Sequence, residues 1–289
     1  MGQWMGAALA AIEEAASLGG SELQRLRQAI HQDGAVSAGE VRQLLDLHRS
    51  GRGAAMGPGW DDLLIEAVVE HFALDHAASG GWSDADLRPD WGRALRRTVD
   101  ALALGSLPDQ PLSTRLAGTS VSAESAQVLV DALGADGLVL SPVEVRLLAR
   151  LFAHAVAYPL SMRAFAWKAL AATVAADRAL TACDADLVRA LVTGPASCDG
   201  VAVSRSEADM IVGITAIGAA ARDPAWDKVV AEALAMHLLY AGGSPGNLDA
   251  AEQTWLTHAT RQLPEELAAR LARQITALTD QPGQAHQAA

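Results

Sequence analysis

The chain has 289 residues, 51% of them hydrophobic but only 4% aromatic, with a formal net charge of −12 and a pI near 5.0. That length suits one large or two modest globular units, and an alanine-, valine- and leucine-rich composition favours small-residue helices packed closely over sheets. The acidic balance, with Lys168 and Lys228 the only lysines, leaves no phosphate-binding stripe and disfavours nucleic acid as the main partner, so no nucleic acid is expected.

From the N-terminus, Met1 to Ala10 lack the cationic region of a secretory signal. Apolar stretches such as Met210 to Ala221 are too short to span a bilayer, and arginines interrupt the longer one from Val143 to Ala176. The expectation is a cytoplasmic protein that does not insert into membranes. Cys183 and Cys198 have no Cys or His at metal spacing, so they read as small thiols rather than a disulfide framework or a zinc ribbon.

The first structured signal is Asp33-Gly34-Ala35-Val36-Ser37-Ala38-Gly39-Glu40. Asp-Gly makes a tight turn, one apolar residue points inward, Ser37 caps the next helix and Glu40 reaches back from its third position. The line recurs as Asp136-Gly137 with Leu140, Ser141 and Glu144, and as Asp199-Gly200 with Val203, Ser204 and Glu207. The second and third versions hold one more residue between Gly and Ser. Each cap predicts an amphipathic helix, carrying Val41, Leu44 and Leu45, then Val145, Leu148 and Phe152, then Ile211, Ile214 and Ile217.

A second helix is predicted to begin at Trp60 in the first copy and Trp226 in the third. Trp60, Asp61, Glu66, Ala67 and His71 match Trp226, Asp227, Glu232, Ala233 and His237 at identical spacings. The middle copy has Met162, Lys168, Ala169 and Thr173 in register and lacks the Trp, the Glu and the His. Trp91 and Trp255 follow downstream in the outer copies, with a further helical stretch expected over Trp91 to Leu104. The predicted fold is therefore all-α: a helical bundle of three diverged helix-loop-helix repeats. Residues 1–106 form the first repeat and 112–280 the second and third, divided at the Pro-bearing loop 107–111, with 281–289 a disordered tail.

At 100° per residue His71 shares a stripe with Trp60, Leu64 and Ala67, while Glu66 lies off it; His237 and Glu232 are related in the same way. The structural reading is a buried imidazole bonded to a carbonyl or carboxylate of a partner helix. The functional reading is a metal or acid–base site assembled across helices from His71, His237, Glu66 and Glu232. The turns resemble the second half of an EF-hand loop, with Asp33 fifth and Glu40 twelfth, but Ala29 and His31 stand where further oxygen ligands belong. The capping role accounts for the same residues. No Gly-rich phosphate loop, Gly-x-Ser-x-Gly elbow or His-Glu-x-x-His occurs.

The Asp-Gly-x-Val-Ser-x-x-Glu phrase of Asp33 to Val41, and less closely those of Asp136 to Val145 and Asp199 to Ala208, resembles the helix-opening turns of tellurite-resistance TerB-like helical domains. That resemblance covers about a third of the chain. It implies an all-helical fold, a link to stress responses, and divalent-metal binding with Asp33, Glu40, Asp136, Glu144, Asp199 and Glu207 as the acids. The expectation on function is a non-catalytic interaction or scaffold protein with a protein partner and no cofactor. The alternative is a divalent-metal-binding stress protein that uses the acidic turns or the paired Glu/His helices.

Overall fold

Each of the three predicted Ser caps opens a helix in the computed structural model, which describes residues 7–8, 12, 19–32, 36–57, 59–78, 119–194, 203–240 and 248–279. In chain order the helices and short strands are α1 (Gly20–Gln32), α2 (Ala38–Arg49), α3 (Arg52–Ala55), α4 (Trp60–Ala78), β1 (Thr119–Ser120), α5 (Ala123–Gly134), α6 (Pro142–His154), β2 (Ala155–Ala157) and α7 (Leu160–Asp177). There follow β3 (Ala179–Leu180), α8 (Ala182–Thr193), α9 (Arg205–Ile217), β4 (Ala221–Arg222), α10 (Pro224–Tyr240), α11 (Ala250–Gln262) and α12 (Glu265–Thr279). The protein is an all-α helical bundle, as its composition predicts.

The described residues fall into two compact units, one of residues 1–137 with 154–165 and one of 138–153 with 166–289. The 107–111 loop expected to divide the chain lies outside the described residues. So do the helix expected over 91–104 and the tail 281–289.

In the first unit α2 packs against α3, α4 and α5, while α1 and α3 also lie against α4. The apolar face read from the sequence supplies the core: Val41, Leu44, Leu45 and Leu47 of α2 are buried with Trp60, Leu63, Leu64 and Ala67 of α4. A Cβ on Gly53 would lie 2.1 Å from Trp60 Cε2, so only glycine lets α3 approach the indole this closely. β1 pairs in parallel with β2, extended by the Val121 N–H donating to the Ala157 carbonyl at 2.9 Å.

In the second unit α10 is the central helix, packed by α8, α9 and α12, with α11 against α9. Trp226, Val230, Ala233, Leu234 and Leu238 of α10 meet a core that includes Leu187, Leu191, Ile211, Leu267 and Leu271. β3 pairs in parallel with β4. Arg178 turns the chain from α7 into β3 with φ +54, its N–H donating to the Val174 carbonyl at 2.8 Å.

The parallel bridges show an order that the Asp-Gly turns alone do not reveal. Strand, two capped helices, strand and long helix follow one another from β1 to α7 and again from β3 to α10. Ser122 caps α5 and Thr181 caps α8, the latter in a full box with Asp184.

Candidate functional site

The acidic residues of the turns are held by their own backbone. Ser37 N–H donates to Glu40 Oε2 at 2.7 Å, Ser141 N–H to Glu144 Oε2 at 2.8 Å and Ser204 N–H to Glu207 Oε2 at 3.0 Å. In return the N–H groups of Glu40, Glu144 and Glu207 each donate to their serine Oγ at 3.3 Å. All three glutamates are buried. Such reciprocal bonds satisfy two of the N–H groups that a helix start leaves open.

Asp136 is exposed and pairs loosely with Arg49 at 3.7 Å. The Gly137 beside it has φ +117, the positive value expected of an Asp-Gly turn. Asp33 and Asp199 lie outside the described residues. The residues that follow Gly137, Leu138 and Val139, are 41% and 59% exposed, whereas the inward positions Val36, Leu140 and Val203 are all buried.

His71 and His237 are 8% and 7% exposed, on the stripes where the helical spacing puts them. His71 Nδ1 lies 2.6 Å from the Val36 carbonyl and His237 Nδ1 2.8 Å from that of Val203. A carbonyl only accepts, so each Nδ1 carries the proton and donates it. The residue bonded is in both cases the inward apolar residue before the cap. The Val36–Ser37 peptide is thus held on its oxygen by His71 and on its nitrogen by Glu40, and the Val203–Ser204 peptide likewise by His237 and Glu207.

The tryptophans make the second contact. Trp60 Nε1 donates to His48 Nδ1 at 3.2 Å, and Trp226 Nε1 to Thr215 Oγ1 at 3.1 Å. In each pair of helices the Trp and the His are 11 residues apart and their two partners 12 apart, so α4 grips α2 at two places and α10 grips α9 at the same two. The middle copy, which the sequence shows without Trp and His, still makes one of these contacts. Thr173 Oγ1 donates to the Ala169 carbonyl at 2.9 Å and accepts from Leu140 N–H at 2.8 Å. It thus holds the same inward residue by its N–H rather than its carbonyl.

Glu66 and Glu232 are half-buried, and Glu66 lies 3.8 Å from Arg27. His71 belongs to the first unit and His237 to the second. Among the described residues no group of three or more His, Cys, Asp or Glu is placed to hold a metal ion. His71 Nε2 and Glu40 Oε1 are buried and have no hydrogen-bond partner among the described residues.

Several polar contacts carry no signal in a single sequence. Trp255 Nε1 donates to Asp209 Oδ1 at 2.7 Å, its ring stands edge-on to His237 at 5.0 Å, and the Arg205 guanidinium lies over it at 5.0 Å. The contacts with Asp209 and Arg205 dock α11 on α9, and the one with His237 reaches α10. The boxes Thr181/Asp184 and Asp249/Glu252 could have been found from their spacing alone. Burial raises the Asp184 carboxyl above the usual carboxylate range, against the lowering effect of its two Thr181 hydrogen bonds. Burial likewise raises the half-exposed Cys183 thiol, which disfavours its thiolate form.

No family model matches this chain, and neither a curated protein nor a solved structure matches it significantly. Among the described residues no helix is long and apolar enough to cross a membrane.

Proposed function

We propose that this protein is a non-catalytic interaction scaffold of the cytoplasm, built of three diverged repeats of the tellurite-resistance TerB-like kind and presenting its outer surface to a protein partner. One observation carries this reading. The residue types that could do chemistry are engaged in holding the fold: Glu40, Glu144 and Glu207 in caps, His71 and His237 on backbone carbonyls. The recurrence of the two-point grip in α2/α4 and α9/α10, and of half of it at Thr173, supports descent of the three copies from one unit. Apolar side chains left outside, Leu138 and Val139 at the middle turn, Leu160 at the start of α7, and Met210 and Ile217 on α9, are suited to a protein surface.

The test is co-purification from the native host with a tagged chain, comparing wild type with Val139→Asp and with Ile217→Asp. A stoichiometric partner lost from either variant, with helical content unchanged, is the expected result. The absence of any such partner would remove the scaffold reading.

A divalent-metal reading is favoured by a single feature. Donation from Nδ1 to a carbonyl leaves the Nε2 lone pair of His71 bare and buried, which is how metal-ligating histidines are oriented. Metal analysis of the purified protein and melts with and without chelator separate the two. Bound metal in stoichiometric amount together with a Tm lowered by chelator would favour the metal reading.

A further inference from the structure

Of the contacts that hold the long helices, one depends on an imidazole being neutral. An indole N–H can only donate, so His48 Nδ1 must be bare to accept from Trp60 and its proton must sit on Nε2. His71 and His237 are the reverse case: their Nδ1 donates, and a second proton on Nε2 leaves that bond in place. At the matching place in the second unit, Thr215 Oγ1 donates to the Ile211 carbonyl and accepts from Trp226, and a hydroxyl does not titrate in this range.

We propose that the Trp60–His48 bond is an acid-sensitive latch that fastens the first turn of α4 to the end of α2, and that the second unit has a pH-insensitive version of it. Protonated His48 would point an N–H at the indole N–H, setting two donors against each other. The indole has little freedom to find another acceptor, because Trp60 is 1% exposed and its ring lies directly on Gly53. His48 itself is only half-buried, which gives the proton access.

Around His48, α2 itself carries Glu40, Arg42, Asp46 and Arg49, and the elements packed against it carry Arg52 on α3, Asp61, Asp62 and Glu66 on α4, and Glu124 and Asp131 on α5. Arg49 is drawn toward Asp136, and Arg52 donates to the Ile12 carbonyl. The sign is fixed by the geometry. The latch holds while His48 is neutral and is lost as falling pH protonates it, whereas the His71–Val36 bond at the other end of α4 persists. Acid would therefore loosen α4 from one end.

The experiment follows the ¹⁵N-labelled indole resonances of the full chain from pH 7.5 to 5.0, with Trp60→Phe identifying the Trp60 signal. The variants His48→Thr and His48→Gln each keep an acceptor that does not titrate. The Trp60 resonance is expected to move in the wild type and to stay put in a folded variant, while that of Trp226 stays put in both. Thermal melts should show the wild type losing about 3 °C more than the variant between the two pH values, the size expected for one hydrogen bond in a chain of this length. A Trp60 resonance stationary in the wild type, or moving equally in the variants, overturns the latch. If His48→Thr does not fold, His48→Gln decides on the same readout.

Discussion

Ser37, Ser141 and Ser204 are interchangeable on paper, yet each supports its helix in a slightly different way. Ser141 and Ser204 also lie 3.0 and 2.7 Å from the returning glutamate through their own hydroxyls. Removing the hydroxyl at Ser37 leaves the Glu40 N–H without its acceptor, so Ser37→Ala should cost about 1 kcal/mol in urea denaturation. A neutral result would mean that Glu40 alone holds the turn. Asp184 offers a test with the opposite character. Burial raises its carboxyl above the unfolded value, so the folded state holds that proton more tightly than the unfolded chain does. This contribution is present in full below the unfolded pKa and is lost as pH rises through the folded one. Asp184→Asn cannot ionise, so the wild type should gain stability relative to the variant as pH falls from 7 toward 4, read by parallel urea titrations. A constant difference would show that burial of Asp184 does not govern its protonation.

Among the elements, the pairing of a capped helix with a long following helix is the recurrent device. Its apolar half was legible beforehand: the stripe through Trp60, Leu64, Ala67 and His71 is buried as the 3.6-residue period requires. Its polar half was legible only as an expectation of some carbonyl or carboxylate. That Val36 and Val203 would supply the oxygen depends on how α4 and α10 lie across the residues just before α2 and α9. Thr173 makes the same point more sharply, since a threonine in the place of a histidine looks like decay and proves to be a contact of altered polarity. His237→Leu would strip the Val203 carbonyl of its donor, and Thr173→Val would strip Leu140 N–H of its acceptor. Each should destabilise the protein by about 1–3 kcal/mol, the cost of leaving a buried polar group unmatched. Equilibrium unfolding of the two variants measures it, and losses well under 1 kcal/mol would mean that water reaches these groups.

For the molecule as a whole, a net charge of −12 on 289 residues sets a background of self-repulsion. The solvent-accessible ion pairs that work against it, the half-buried Arg27–Glu66 and the exposed Arg205–Asp209, are individually weak. Screening should therefore help more than it hurts, and Tm by circular dichroism should rise by a few degrees from 20 to 200 mM sodium chloride. A falling Tm would show that the ion pairs outweigh the repulsion. Composition and spacing by themselves determined the all-α class, the three capped helix starts and the inward positions Val36, Leu140 and Val203, because helix propensity, capping and amphipathic period act between residues near in sequence. Only the tertiary structure decided what the buried polar groups do. The grouping of residues 154–165 with the first unit and 166–289 with the second, the parallel bridges β1–β2 and β3–β4, and the partners of His71, His237, Trp60 and Trp226 all join residues at least ten positions apart. A hydrogen bond needs its donor and acceptor within about 3 Å. No local rule brings such residues that close; the packing of whole helices does.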